Sequence, residues 1–186
     1  MISENIIEFR SKLYKDLEAL EYRRILHENY EWLESYWQQQ FRGNNGIQQF
    51  CDAHGNFYWE IDCVIDIAKE FSILRPVGNS NQGFNPSENI LRATYCLKYN
   101  SNLFDEIEVI KDEQEIANLW QGTPFKAVFE IVKQIRNNLF HGQKMELEDG
   151  QFNRNKLLVK HAVNFTSCLL DNLIEAEHIL KQSEAK

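Results

Sequence analysis

The chain has 186 residues, 43% of them apolar and only three of them proline, enough for one domain with a sizeable core and unlike a disordered chain. Its net charge of −8 excludes a bulk, nonspecific binder of nucleic acid, which draws on Lys and Arg along a groove. No apolar run reaches the roughly 20 residues of a membrane span, no signal-peptide pattern opens the chain, and Cys51, Cys63, Cys96 and Cys168 form no Cys-x-x-Cys pair. Together these predict no membrane segment, a cytoplasmic location and free thiols.

In chain order, residues 3–41 read as helix almost throughout. Ile6, Phe9, Leu13, Leu17 and Leu20 make one stripe, and Leu26, Tyr30, Leu33, Trp37 and Phe41 a second. The phase slips near Tyr22-Arg23-Arg24, which predicts a bend or two helices in line, with part of the segment as a projecting arm. Tyr30, Trp32, Tyr36 and Trp37 have the chemistry to stack bases, although aromatics at this spacing are more often core. Gly43-Asn44-Asn45-Gly46 is a turn, Ile47–Ala53 a short segment, and Tyr58–Leu74 the next helix. On that helix Asp62, Asp66 and Glu70 recur every fourth residue and read as a solvated face. Cys51, His54 and Cys63 have no evident fourth partner for zinc, so no metal site is predicted.

Residues 75–85 form a long polar loop, too short for a domain linker and lacking the Gly-Lys-Ser/Thr of a phosphate loop. Asn85-Pro86-Ser87-Glu88 reads as a helix start with Asn as the cap, and that helix ends near Asn100. An acidic helix follows over Asp112–Trp120. Residues 124–141 then form an amphipathic helix with Thr123 as N-cap, Pro124 in the first position, and Val128, Ile131, Val132, Ile135 and Leu139 on one stripe. Gly142 suits its end. A charged loop over 143–153 precedes a final helix from about Arg154 to Gln182. Strand patterns are poor everywhere. The fold class expected is all-α, in one domain spanning 1–186.

The stretch Arg136-Asn137-Asn138-Leu139-Phe140-His141-Gly142 carries the functional argument. Phe129 and Phe140 flank Arg136 at helical spacing, which sets a cation among aromatics at the edge of a core. On an ideal helix Arg136 and His141 point about 140° apart. They meet only if the helix ends at the histidine or if a second copy supplies one partner. An Arg followed by Asn, then a His followed by Gly, closing a helix before a long final helix, resembles the motif of the HEPN superfamily. The resemblance implies an all-α HEPN-like bundle of about five to seven helices. It also implies a homodimer, catalytic residues Arg136 and His141, and metal-independent endoribonuclease activity of a toxin or defence type. An RNA substrate and an antitoxin or other regulatory protein are the partners implied, with no cofactor. A histidine capping a helix dipole beside a surface arginine accounts for the same residues without any activity.

The chemistry suits the residues. RNA is cut without metal when its own 2′-hydroxyl attacks the adjacent phosphate. That reaction needs a base, an acid for the leaving 5′-oxygen, and positive charge for the phosphorane. Histidine fills either proton role near neutrality, and arginine offers a fork of donors to phosphate. One His per chain covers one role well; two pairs in a symmetric dimer cover both. Asn137 and Lys144 are supporting candidates, for orientation and for phosphate affinity. His27, His54, His161 and His178 lack a matching arginine. Seven basic residues against four acidic ones between Pro124 and Lys160 make that segment +3 and leave −11 elsewhere, the pattern of a small phosphate site on an acidic body. A non-catalytic HEPN module that binds RNA, a nucleotide or a partner protein is the alternative function, and a helical interaction protein with an accidental motif the third.

Overall fold

A computed structural model describes residues 4–41, 45–73, 87–140 and 149–184; its side-chain description excludes Asn5, Phe140, Asp149 and 178–184. Among the described residues there are eight helices and no strand: α1 (Glu4–Lys15), α2 (Leu17–Gln40), α3 (Gly46–Trp59), α4 (Asp62–Ile73), α5 (Glu88–Lys98), α6 (Lys111–Ala117), α7 (Pro124–Phe140) and α8 (Asp149–Glu184). The all-α expectation is met. The count exceeds the expected five to seven because residues 4–40 form two helices and residues 46–73 two more, where a short piece and one helix were expected in the second stretch.

The N-terminal segment is two helices, but the break falls at Asp16 and not near Tyr22. Asp16 leaves helical geometry, and its carboxylate accepts from the Ala19 N–H at 3.0 Å, capping α2. Lys156 of α8 reaches the same carboxylate at 2.9 Å and Glu18 at 2.6 Å, which fastens the joint to the last helix. At α5 the cap is Ser87, whose hydroxyl accepts from the Ile90 N–H, and not Asn85, which lies outside the described residues. The last helix begins at Asp149, so part of the segment expected as loop is its first turn.

The aromatic part of the core lies between α2, α3, α7 and α8, and Val64, Ala68 and Phe71 of α4 with Ala93 and Leu97 of α5 extend it. Phe50, Phe125, Phe129 and Phe165 are fully buried and touch one another, with Tyr58 stacked on Phe125 and Trp37 set edge-on to Phe129. Burying each such ring stabilises the fold by about 1.5–3 kcal/mol, and edge-to-face pairs add to that. Pairings along the helices set their directions. Asp16 meets Lys156 and Asn29 donates to Thr166 and Ser167, so α2 and α8 run parallel. Trp37 meets Phe129 and Tyr30 meets Arg136, so α7 runs antiparallel to α2. The C-terminal end of α7 is thereby directed toward the α1–α2 joint.

A disulfide joins Cys63 of α4 to Cys168 of α8, which corrects the expectation of free thiols at those two positions. The antiparallel packing of α4 on α8 brings them together, a placement that sequence spacing does not reveal. Cys51 and Cys96 are free, and burial pushes their thiols up to about 12 and about 11. No described helix is long and apolar enough to cross a membrane.

Candidate functional site

The motif helix begins as its sequence predicts. The Thr123 hydroxyl accepts from the Lys126 N–H at 3.2 Å, and its carbonyl accepts from Ala127 N–H and from the indole of Trp120. Gly122 precedes it with φ +142°, a backbone that favours glycine, and a Cβ there would lie 2.6 Å from the Lys126 side chain. Gly55 of α3 passes so close that a Cβ would meet the Thr123 hydroxyl at 2.8 Å. The start of α7 is thus wedged between its own turn and α3.

Burial then changes along the helix. Phe125, Ala127, Val128, Phe129, Ile131 and Val132 are buried, whereas Lys133 through Leu139 are all half-buried. The apolar first half anchors α7 in the core, and the second half emerges at the core's margin carrying the motif.

Arg136 lies at that margin, its guanidinium over the Tyr30 ring at 5.0 Å from the centroid. Such a contact is worth about 0.5–2 kcal/mol, more where water is excluded. Its Nη1 also donates to the Asn137 side-chain oxygen at 3.3 Å. Gln134 donates to Asn138 at 2.7 Å one face over. Tyr30 is buried, edge-on to Trp37 at 5.6 Å. Burial above all raises its phenol pKa; the Arg136 charge pulls it the other way, and Glu34 and Glu130 push it further up. Tyr30 is therefore a neutral platform, and two carboxylates lie within electrostatic reach of it.

Two expectations change here. Phe129 does not lie beside Arg136 at the edge of the core. It belongs to this chain's own core, against Trp37, Phe50, Phe125 and Phe165, so it offers nothing to a dimer interface. The expected basic patch is also dispersed. Lys126, at the far end of α7, reaches the Gln121 carbonyl and the Trp120 ring; Lys133 pairs with Glu130 at 3.5 Å; Lys156 pairs with Asp16 and Glu18. Charges close in sequence are spread along two antiparallel helices.

The structure brings together Arg136 and Asn137. His141, Gly142 and Lys144 lie outside the described residues, directly after Phe140. Tyr30 is the partner sequence reasoning missed. Its burial was legible from the α2 stripe, but its position under Arg136 depends on the antiparallel register of α2 and α7. Of the four aromatics considered for base stacking, Tyr30 and Trp37 are buried and Tyr36 is half-buried against Phe50; Trp32 is 70% exposed. His27 lies 3.2 Å from Glu31, His54 is exposed beside Phe41, Phe50 and Tyr58, and His161 packs on Phe71. Asp62, Asp66 and Glu70 are exposed, as a solvated face requires. Cys63 is held in the disulfide and Cys51 is buried, which separates the two thiols considered for zinc. Among the described residues no group of three or more His, Cys, Asp or Glu side chains is placed to hold a metal ion. Comparison of the chain finds no matching family model, no matching curated protein and no matching solved structure.

Proposed function

We propose that this chain is a metal-independent endoribonuclease of the HEPN type, acting as a toxin or defence enzyme, with Arg136 and His141 as its catalytic pair. The observation that supports this most is the position of the motif. Arg136-Asn137 occupies the emerging end of α7, and His141-Gly142 follows directly after its last described residue, ahead of the long α8. The guanidinium is oriented by Tyr30 and Asn137, which lowers the cost of organising it around a phosphate.

In this mechanism a base takes the proton of the 2′-hydroxyl, whose oxygen attacks the adjacent phosphorus. The P–O5′ bond breaks, an acid protonates the departing 5′-oxygen, and a 2′,3′-cyclic phosphate and a 5′-hydroxyl end remain. His141 serves in one proton role and Arg136 stabilises the phosphorane charge. A second copy supplies the other histidine, so the active form is a homodimer. Asn137 orients Arg136, and Lys144 adds phosphate affinity. An antitoxin or other regulatory protein is the expected partner of such an enzyme.

The test is cleavage of single-stranded RNA by the purified chain in EDTA. Activity is expected on RNA and absent on DNA and on 2′-O-methylated RNA, and His141→Ala or Arg136→Ala is expected to cost at least about 100-fold. Cleavage that needs added magnesium, or that proceeds equally on methylated RNA, overturns the mechanism. A non-catalytic HEPN module is the second reading, and the Tyr30 contact favours it too. One face of the Arg136 guanidinium and its Nη1 already have partners, so the arginine suits static binding of RNA, a nucleotide or a partner protein. Binding lost in Arg136→Ala without any cleavage selects that reading.

A further inference from the structure

Among the described residues, the contacts that fasten helix α1 lie on one face. The Arg23 guanidinium lies over the Phe9 ring at 5.4 Å, Lys12 lies over Phe152 at 5.3 Å, and Asp16 at its end is bound by Lys156. The opposite face is apolar and bare: Ile6 is 45% exposed, Ile7 60% and Tyr14 56%. With Arg10 and Ser11 these residues line a shallow groove of about 350 Å³, and Arg10 lies over the Tyr14 ring at 5.3 Å. At about 100° per residue, Ile6, Ile7, Arg10 and Tyr14 share one stripe, and Glu4, Glu8 and Lys15 share the flank beside it. All three flanking residues are exposed.

We propose that this face docks on the same face of a second copy, antiparallel about a two-fold axis. With the axis passing between Arg10 and Ser11, Ile7 of one copy falls opposite Tyr14 of the other. Like flanks meet in such a pair, so each Lys15 falls between Glu4 and Glu8 of its partner. A parallel two-fold pairing brings unlike flanks together, so Glu4, Glu8 and Lys15 lose these partners. The flanks are therefore self-complementary in charge, and the two Arg10 side chains, each over its own Tyr14, lie beside the axis. An isologous contact of this kind closes at two copies, and one helix pair is small by the standard of stable interfaces, so the dimer is weak and reversible.

The pairing itself does not rest on the ribonuclease reading, and its test measures mass rather than cleavage.

Sedimentation equilibrium of the full chain over roughly 5–200 μM is expected to show a monomer–dimer equilibrium, weakened at least about tenfold by Ile7→Glu and by Tyr14→Glu. Lys15→Glu weakens it as well, and the triple change Glu4→Lys, Glu8→Lys, Lys15→Glu restores it. These positions are exposed, so far-UV circular dichroism is expected to stay unchanged. A monomer throughout, a dimer indifferent to both Ile7→Glu and Tyr14→Glu, or a triple variant weaker than Lys15→Glu overturns the proposal. Co-sedimentation of a purely monomeric chain with phosphatidylserine vesicles assigns the face to a membrane surface and overturns it equally.

Discussion

Arg136 is held by contacts that serve the fold as well as any ligand. Its guanidinium over Tyr30 joins the emerging end of α7 to α2, and Tyr30 in turn packs edge-on to Trp37. Replacing Tyr30 therefore separates two things that Arg136→Ala confounds. Tyr30→Phe keeps the ring and is expected to keep both stability and any activity. Tyr30→Leu removes the π face and the pairing with Trp37, and is expected to lower the unfolding free energy by about 1–3 kcal/mol in urea titrations. On the proposed ribonuclease or RNA-binding reading it also loosens RNA affinity at the Arg136 surface, read by fluorescence anisotropy. If Tyr30→Leu melts like the native chain, the cation–π contact is not a structural tie.

At the scale of elements, α8 organises the bundle. It pairs with α2 through Lys156 and Asn29, with α4 through the disulfide and His161, and with α7 through Phe165. The disulfide closes a loop of 105 residues, so its main effect is on the unfolded chain, whose freedom it curtails. Reduction is expected to cost about 2–4 kcal/mol, seen as a lower melting temperature in dithiothreitol. Cys63→Ser should match the reduced protein and lose its sensitivity to the reagent. Melting that is identical with and without reductant argues that the α4–α8 tie is dispensable. A polar tie joins α5 to α6, where Lys98 pairs with the buried Glu113 and Tyr99 donates to the same carboxylate. Burial lowers the Lys98 pKa, and the Glu113 hydrogen bond and charge overcome that to leave it raised.

For the whole molecule, acid is expected to act in two stages. His161 packs on Phe71 near Glu70, and burial above all lowers its pKa, against the opposing pull of Glu70. The unfolded chain then binds the proton more tightly, so the stability from a neutral His161 is full above about 6.5 and is lost as pH falls through the lower folded value. Asp16 follows at lower pH. The Ala19 N–H, then Lys156, hold its carboxyl below the usual range, and its contribution is lost below about 3.9. Unfolding free energies measured at pH 7.5 and 5.5 should therefore differ for the native chain and differ less for His161→Gln. Asp16→Asn should remove the second stage, and an unchanged profile in both variants would contradict the assignment.

The all-α class, the start of α7 at Thr123-Pro124 and its apolar stripe were legible from sequence, because capping and helical periodicity are local properties of the chain. The α2 stripe likewise named Leu26, Tyr30, Leu33 and Trp37, all of them buried. Element boundaries were less legible. Asp16, rather than the phase slip at Tyr22, breaks the first segment, because a cap and a cross-helix lysine outweigh a change of stripe. Other features depend on which helices lie side by side. Tyr30 lies under Arg136, Phe129 turns into the core rather than the surface, Cys63 meets Cys168, and the lysines of 124–160 disperse onto separate partners. Each is a contact between residues distant in the chain, set by the antiparallel register of α7 on α2 and of α4 on α8. Spacing along one helix carries no information about that register. The sequence determined which residues of α7 were apolar and which carried the motif; only the tertiary packing decided which of them the core would keep.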